Sequence, residues 1–384
     1  MEATRKPVGE LLDAVPRQPK IKRSAYQESG RYPIVDQSQA DIAGYTDDES
    51  WLYQGELPVV IFGDHTRVLK FVNFPFCVGA DGTQLLRPVT GNDIRYFYYA
   101  LRNVDLTNYG YERHFKYLKE AEIPAPPLPV QRRIAGILSA YDELMENSQR
   151  RIRLLEAMAR ALYREWFVHF RFPGHEKHPR VASPLGDIPQ GWEVKPLGEL
   201  TAYLNRGLSP SYDDNGDSMV INQKCVREQR LNLEPARRQT KPVPADKRVR
   251  FGDVLINSTG VGTLGRVAQV YQDLGECTVD THVTIARPNP ETDLDFFGCT
   301  LLSHQETFDR LGIGATGQTE LSRTSVANVD LVVPPTRIQR RFGELARPMR
   351  AAAMTHANQI QNLRRTRDLL LPRLLSGQVE LRTN

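Results

Sequence analysis

A glycine-rich run from Gly260 to Gly265 is the sharpest chemical signal in the sequence. Its spacing, G-x-G-x-x-G, is that of a dinucleotide-binding loop, it follows a strand-like segment, and Asp280 lies at a plausible distance for a ribose contact. That chemistry requires the glycines to open a helix, because the helix N-terminus holds the pyrophosphate. Here residues 266–271 continue as a strand instead. We therefore predict a loop between two strands, and a nucleotide-dependent oxidoreductase is the less favoured alternative.

The sequence shows no other motif of catalysis. It has no phosphate-binding loop that ends in Lys-Ser/Thr, no G-x-S-x-G, no H-E-x-x-H and no Asn/Asp-Pro-Pro-aromatic motif of an amino-methyltransferase. The eight histidines are scattered, and the four cysteines are too far apart for paired metal ligands or a secretory disulfide pattern. We predict a chain without catalytic residues, metal or cofactor of its own.

Basic residues are distributed unevenly, although the net charge is only +4. Nine Lys and Arg residues lie between 224 and 250, against three acidic ones, and ten Arg residues follow from 337 onward. Such basic faces suit a phosphate backbone, while a solvated surface is the alternative for any single run. The candidate phosphate contacts are Lys224, Arg227, Arg237, Arg238 and Lys241, with His65, Arg67 and Lys116 earlier in the chain. Less favoured candidates in the glycine-rich region are Asn257, Ser258, Thr259 and Arg266.

The elements that must position these residues include a long helix after Pro129. Apolar residues recur there at alternating steps of four and three, without Gly or Pro between 137 and 172, which is typical of a heptad seam. At about 1.5 Å per residue, some 38 residues give a rod of roughly 57 Å, so the helix needs a partner helix. The predicted seam residues are Ile134, Leu138, Tyr141, Met145, Ile152, Leu155, Leu162 and Trp166.

The partner helix lies in the same chain, because the sequence repeats after 208 residues. A Pro-Pro pair and the triplet Gln131–Arg133 recur as a second Pro-Pro pair and Gln339–Arg341. The second seam includes Phe342, Ile360, Leu363 and Leu370, but His356 and Arg367 occupy seam positions. Pro348 is expected to kink or split this helix.

The repeat extends upstream, since residues 6–11 recur as residues 195–200. The chain is therefore predicted to contain two copies of an α+β globular segment, each followed by a long helix. Short strands are expected at 59–62, 68–72, 74–78, 254–257, 267–271 and 283–286, with helices at 93–102 and 295–310. We find neither the apolar core of a signal peptide nor a run of 18 apolar residues, and so expect a cytosolic protein.

At this level of detail the sequence resembles the DNA-specificity (S) subunit of Type I restriction-modification systems. The resemblance covers nearly the whole chain: the repeated P-P-L/T-x-x-Q-R-R starts of the long helices, residues 61–67 with 80–82, residues 166–174, residues 252–260, and residues 265–266 with 281–283. It implies two target-recognition domains, and two helices that pair as an antiparallel coiled coil with pseudo-twofold symmetry. The implied domains are 1–128 (first recognition domain), 129–172 (first long helix), 173–190 (linker), 191–335 (second recognition domain) and 336–384 (second helix region).

The resemblance further implies a recognition subunit that reads a split site in double-stranded DNA and has no catalysis of its own. Its implied partners are two methyltransferase (modification) subunits and the restriction (translocase and endonuclease) subunits, with no membrane. The cofactors of the family, S-adenosylmethionine, ATP and Mg, belong to those partners. A structural coiled-coil adaptor is the second alternative; it explains the helices, but not two large globular repeats with basic strips.

Overall fold

The chain folds as two units, each built from one globular segment and one end of each long helix. The computed structural model describes residues 4–16, 18–106, 113–312 and 320–379. Unit 1 comprises Met1–Asn147 and Gln359–Asn384, and unit 2 comprises Ser148–Asn358. The chain ends of the predicted domains, 1–3 and 380–384, lie outside the described residues.

Helices account for both predicted rods and for short segments of the globular parts. They are α1 (Ile94–Arg102), α2 (Phe115–Glu120), α3 (Leu128–Tyr163), α4 (Leu294–Ser303), α5 (Gln305–Arg310), α6 (Arg323–Ala327) and α7 (Thr336–Leu375). One π-helical turn, Arg164–Val168, continues α3. The helix predicted at 295–310 is instead two helices, α4 and α5, which meet at His304.

The strands are short and are joined by many turns. Unit 1 contains β1 (Arg5–Pro7), β2 (Tyr32–Val35), β3 (Gly44–Thr46), β4 (Val59–Gly63), β5 (Leu69–Val72), β6 (Cys77–Val78), β7 (Thr83–Leu86) and β8 (Glu122–Pro124). Unit 2 contains β9 (Arg180–Val181), β10 (Ile188–Pro189), β11 (Glu193–Pro196), β12 (Thr201–Arg206), β13 (Ser218–Ile221), β14 (Val226–Arg227), β15 (Arg230–Leu231), β16 (Arg237–Gln239), β17 (Val254–Asn257), β18 (Val267–Gln269), β19 (Cys277–Val279), β20 (Val283–Pro288) and β21 (Asp330–Val333).

The two units share a sheet topology, to which unit 2 adds β12 at the edge of its main sheet. The main sheet has the order β5-β4-β7 in unit 1 and β12-β20-β17-β18 in unit 2, and its strands pair antiparallel. A second sheet has the order β3-β2-β6 in unit 1 and β16-β13-β19 in unit 2, with one antiparallel and one parallel pair in each. The internal repeat seen in the sequence is thus a repeat of structure.

The repeated hexapeptide, residues 6–11 and 195–200, starts each globular segment and ties it to a long helix. It forms the end of a strand and a 3-10 turn in both copies. Its strand pairs antiparallel with the strand that leads into the long helix, β1 with β8 and β11 with β21. This pairing explains why the hexapeptide and the Pro-Pro segment recur together.

The glutamine of the repeated Gln-Arg-Arg triplet joins each long helix to a short helix of the same unit. Gln131 Oε1 accepts the N–H of Asp93 (2.9 Å), and Gln339 Oε1 accepts the N–H of Asp293 (3.0 Å). Each glutamine also donates to the carbonyl of the proline five residues earlier, at 2.8 Å. Both side chains are buried, 2% and 3% exposed, so the hydrogen bonds fix where α1 and α4 begin.

The long helices pair antiparallel. In unit 1 the start of α3 and the end of α7 share one apolar cluster, which includes Ile134, Leu138, Leu371 and Leu374. In unit 2 the end of α3 meets the start of α7, where Phe167 packs against Phe342 with ring centroids 5.0 Å apart. The start of each helix therefore lies against the end of the other. The predicted fold class, two α+β segments with long helices that pair antiparallel, is confirmed.

Of the two effects expected of Pro348, a kink or a split, the split does not occur, since α7 runs without a break from 336 to 375. Proline removes one backbone hydrogen bond and costs about 3 kcal/mol inside a helix. Tertiary contacts hold the helix on both sides of it. Arg347 Nε donates to Asp295 Oδ2 at 2.8 Å, and Arg350 lies over the Tyr271 ring at 4.4 Å.

Candidate nucleic-acid interface

Each unit carries one tight turn between two antiparallel strands of its main sheet. Turn 1 (residues 64–68) joins β4 to β5, and turn 2 (residues 258–266) joins β17 to β18. In both, the N–H of the first residue of the turn donates at 2.8 Å to a backbone carbonyl. The acceptor is Gly82, just before β7, in unit 1, and His282, just before β20, in unit 2. The segments that carry the family resemblance thus come together in space, in the same way in each unit.

Turn 2 contains the glycine run, and the structure agrees with the loop predicted for it. The run lies between antiparallel strands β17 and β18. Gly260 has φ +106°, and Gly265 has φ +74° with its Cα against the backbone of Asp309. The segment after the glycines is a strand, so the helix N-terminus that a pyrophosphate needs is not formed at this run.

Turn 1 presents two of the predicted site residues at the surface. His65 is exposed, and its N–H donates to Gln37 Oε1 at 3.2 Å. Arg67 is also exposed and adopts φ 61°, while its guanidinium donates to the Leu106 carbonyl at 3.1 Å. Both side chains therefore lie at the surface of turn 1, and the Arg67 guanidinium is tied to the backbone at Leu106.

The third predicted residue of unit 1, Lys116, lies in the first turn of α2. That helix is joined to turn 1, because Asp64 Oδ1 accepts the N–H of Phe115 at 2.8 Å. The His114 N–H donates to the Asp64 carbonyl at 2.8 Å. Lys116 is exposed, so the structure brings it to the same part of unit 1 as His65 and Arg67.

In unit 2, Lys224 and Arg227 lie at the surface close to turn 2. Lys224 belongs to the 3-10 turn Gln223–Cys225, whose first carbonyl accepts from Asn257 Nδ2 at 2.9 Å. Arg227 precedes the two residues, Glu228 and Gln229, whose positive φ closes the hairpin β14–β15. Its guanidinium is 3.7 Å from the Glu228 carboxylate, and both side chains are largely solvated.

Arg237, Arg238 and Lys241 lie on or just after β16, an edge strand of the second sheet. The Arg237 guanidinium lies over the Tyr212 ring, 3.9 Å from its centroid. Arg238 Nε donates to the Gly216 carbonyl at 2.6 Å, and Lys241 Nζ donates to a backbone carbonyl at 3.1 Å. All three side chains are exposed, but these contacts anchor them to the domain.

The less favoured candidates in turn 2 divide into buried and surface groups. Asn257 and Ser258 are fully buried, and their side chains hold the turn from inside. Thr259 Oγ1 lies 2.6 Å from His282 Nδ1, and Arg266 Nη2 donates to the Gly262 carbonyl at 2.7 Å. Thr259 and Arg266 are half-buried and reach the surface of the turn.

The predicted seam residues lie on one buried stripe of each long helix. Those in α3 or its π-helical turn are all buried or half-buried: Ile134, Leu138, Tyr141, Met145, Ile152, Leu155, Leu162 and Trp166. The same holds in α7 for Phe342, Ile360, Leu363 and Leu370. Arg367 occupies a seam position with only 7% exposure and pairs with Asp142 of α3. The polar seam position is thus filled by an ion pair.

Several groups near the interface are buried and therefore titrate abnormally. Burial raises the pKa of the Asp280 carboxyl, beside turn 2, although its hydrogen bond from the His282 N–H opposes this. Burial also raises the pKa of the Cys277 thiol to about 12 and that of Cys225 to about 11. These thiols stay protonated at neutral pH. Among the described residues, no cluster of three His, Cys, Asp or Glu side chains could hold a metal ion, and no helix is long and apolar enough to cross a membrane.

Two features of the interface escaped prediction from the sequence. The role of Gln131 and Gln339 in fixing the short helices was missed, although their repetition was the signal. The side chain at the tip of turn 2, Val261, was also missed; a β-branched residue between two glycines was the available sign. It is 80% exposed.

Comparison with known proteins finds a family model and several relatives that are similar to this chain. Residues 3–157 match the Type I restriction modification DNA specificity domain. The chain is 25% identical over 273 residues to the Type I restriction enzyme MjaIX specificity subunit of Methanocaldococcus jannaschii, across 69% of this chain and 62% of that protein. It is 25% identical over 159 residues to the Type I restriction enzyme EcoR124I/EcoR124II specificity subunit of Escherichia coli, across 36% of this chain and 38% of that protein. The chain thus spans less than two thirds of the length of these relatives.

A solved structure shares the fold over nearly the whole chain. The crystal structure of the S subunit of a Type I restriction-modification system from M. genitalium aligns with a TM-score of 0.62 at 16% identity, across 99% of this chain and 96% of that one. The fold is therefore that of a Type I specificity subunit. The resemblance found in the sequence is confirmed by this shared fold and by the match of residues 3–157 to the Type I restriction modification DNA specificity domain.

Proposed function

We propose that this chain is the DNA-recognition subunit of a Type I restriction-modification complex and reads a two-part site in duplex DNA. One observation carries the proposal: the same sheet topology, with the same turn and exposed cations beside it, occurs once in each unit. Two equivalent DNA-recognition domains on one chain bind two half-sites. Because the side chains on the two turns differ, the half-sites differ in sequence.

The exposed basic side chains serve as contacts to the phosphate backbone. In unit 1 these are His65, Arg67 and Lys116, and in unit 2 they are Lys224, Arg227, Arg237, Arg238 and Lys241. Phosphate contacts fix the register of a protein on the duplex, while base edges carry the sequence information. Thr259 and Arg266 lie nearer the tip of turn 2, where they can approach a base edge.

The paired helices set the distance between the two half-sites. Helix α3 has 36 residues, which gives about 54 Å at roughly 1.5 Å per residue. Half-sites one helical turn apart lie roughly 34–36 Å from each other, within the reach of such a helix. In this proposal the predicted domain boundaries, with recognition domains at 1–128 and 191–335, divide the chain into two readers and one spacer.

The chain itself directs chemistry and does not perform it. We propose that two modification subunits bind it and methylate adenine within the recognised site, and that restriction subunits join them for ATP-dependent cleavage. S-adenosylmethionine, ATP and Mg would then be bound by those partners. The compartment expected for this complex is the cytosol.

Binding to duplex DNA tests the proposal against both alternatives. The chain, assembled with its modification subunits, is titrated with duplexes at several salt concentrations, and the methylated positions of the host genome are sequenced. A split adenine-methylated motif, bound in preference to unrelated DNA, is the expected result. A coiled-coil adaptor would show no salt-dependent affinity for DNA. An oxidoreductase would bind a dinucleotide and ignore the duplex.

A further inference from the structure

The tip of turn 2 carries an apolar side chain that is exposed to solvent. Among the large hydrophobic side chains of the described residues, Val261 is the most exposed, at 80%, followed by Leu154 at 58%. Single exposed apolar residues are common and need no explanation by themselves. Val261 differs because it stands between two glycines with positive φ, Gly260 at +106° and Gly262 at +69°.

A network of hydrogen bonds beneath the tip makes the turn rigid. Thr263 and Leu264 donate their N–H groups to the Gly260 carbonyl at 3.1 and 3.0 Å. The buried Asn257 side chain donates to the Thr263 carbonyl at 3.0 Å. Arg266 closes the outer side through its bond to the Gly262 carbonyl, at 2.7 Å. These hydrogen bonds define the backbone on both sides of Val261.

Two basic side chains belong to turn 2 or to the segment bonded to it. Arg266 lies within turn 2, and Lys224 lies on the segment that Asn257 bonds to the turn. The neighbours of Val261 along the chain are two glycines, with a threonine beyond each, so the tip of the turn carries one apolar side chain. The centre of a protein–protein interface is instead a cluster of apolar and aromatic side chains. One apolar group on a surface that also carries basic side chains matches a duplex, in which base edges lie between two rows of phosphates.

The geometry points to Val261 as a specificity-determining residue that packs against the C5-methyl group of a thymine in the major groove. Thymine is the base that presents a methyl group there, and small apolar side chains are its usual contacts. The equivalent turn of unit 1 carries His65 and Arg67 and no valine. The equivalent turns of the two units therefore recognise different bases. This inference rests on the proposed function and assigns one letter of the site to one residue.

Replacement of thymine by uracil tests the contact, because uracil lacks only the C5-methyl group. Once the methylated motif is known, each thymine of both half-sites is replaced in turn, and duplex affinity is measured for the full chain with its modification subunits. The wild-type complex should lose about fourfold in affinity at one thymine, the effect of one buried methyl-sized group. The Val261→Ala variant should bind the thymine duplex at least about fourfold more weakly and show a smaller loss with uracil, because its remaining methyl group makes only part of the contact.

Val181→Ala is the matched control, since this valine of unit 2 is also exposed and lies outside the turn. It should keep both the wild-type affinity and the uracil effect. A uracil effect of full size in Val261→Ala would overturn the inference, as would a motif in which no thymine responds to the replacement. In those cases sequence-specific, salt-dependent binding by the wild-type complex would leave the proposed function standing. If the wild-type complex showed no specific binding to DNA, both the inference about Val261 and the proposed function would be overturned.

Discussion

At the scale of single residues, the exposed cations of unit 2 differ in how firmly the protein holds them. Arg238 and Lys241 donate to backbone carbonyls, and Arg237 lies over an aromatic ring. Lys224 is exposed on a 3-10 turn, and Arg227 has only a solvated carboxylate 3.7 Å away. A surface ion pair of this kind contributes little energy. Lys224 and Arg227 can therefore turn toward a phosphate with little loss of existing contacts.

Removal of these two charges should weaken binding to all duplexes alike. We expect Lys224→Ala and Arg227→Ala each to lower affinity for specific and unrelated DNA by a similar factor. Each should also reduce the slope of log affinity against log salt by about 0.9, because one phosphate contact is lost. The measurement is a salt titration of DNA binding. Arg160→Ala, on helix α3 and paired with Glu156, is the control and should leave the slope unchanged. An unchanged slope in both test variants would remove these residues from the interface.

The repeated glutamine yields a prediction about stability. Gln339→Ala leaves the buried N–H of Asp293 and the carbonyl of Pro334 without partners. Such unsatisfied groups cost about 1–3 kcal/mol, so the midpoint of urea unfolding of the full chain should fall. Gln361→Ala, at an exposed position of the same helix, should change stability by less than about 0.5 kcal/mol. Equal stability of the two variants would mean that the glutamine does not fix the start of α4.

At the scale of elements, much of the fold could be predicted because the spacing of apolar residues along the sequence indicates helices and strands. The heptad seam of α3 and the strands around 59–62 and 254–257 follow from apolar spacing alone. The uninterrupted α7 could not be predicted, because the groups that hold it across Pro348 lie more than fifty residues upstream in sequence. The ion pair at Arg367 escaped for the same reason, since its partner Asp142 is 225 residues away.

The candidate interface was predictable only in its outline. Composition and spacing located the basic residues and the glycine turn. Burial decided which of them reach the surface, and burial depends on long-range packing. The sequence made Asn257 and Ser258 less favoured contact candidates, yet both are fully buried beneath turn 2.

The paired helices lead to a prediction about spacing. Insertion of four residues after Gln149 and four after Ala357 lengthens both helices near the boundary between the units. Each helix grows by about 6 Å, at roughly 1.5 Å per residue. The spacer of the methylated motif should therefore grow by one or two base pairs, at about 3.4 Å per base pair. A four-residue insertion is a stutter, which a coiled coil absorbs by local unwinding.

Some loss of affinity is expected in the lengthened variant, because each added base pair also rotates the half-sites relative to one another. The control is an insertion of four residues after Leu185, in an exposed turn between the long helix and β10. It should leave the motif unchanged. An active lengthened variant with the original spacer, or with altered half-site bases, would show that the helices do not set the spacing.

At the scale of the whole molecule, the proposed function requires two recognition domains that bind their half-sites independently. Each unit has its own sheets, its own apolar clusters and its own turn. The two readers carry different side chains on the same scaffold, so each should keep its letters when the other is replaced.

The most direct test is exchange of residues 1–122 for the corresponding segment of a related specificity subunit with a different known site. The hybrid is produced with its modification subunits, and the methylated positions of the host genome are sequenced. We predict a motif in which one half has the donor's letters and the other half and the spacer length are those of the original. A motif in which both halves change together would contradict the account, as would an active hybrid whose motif is unchanged.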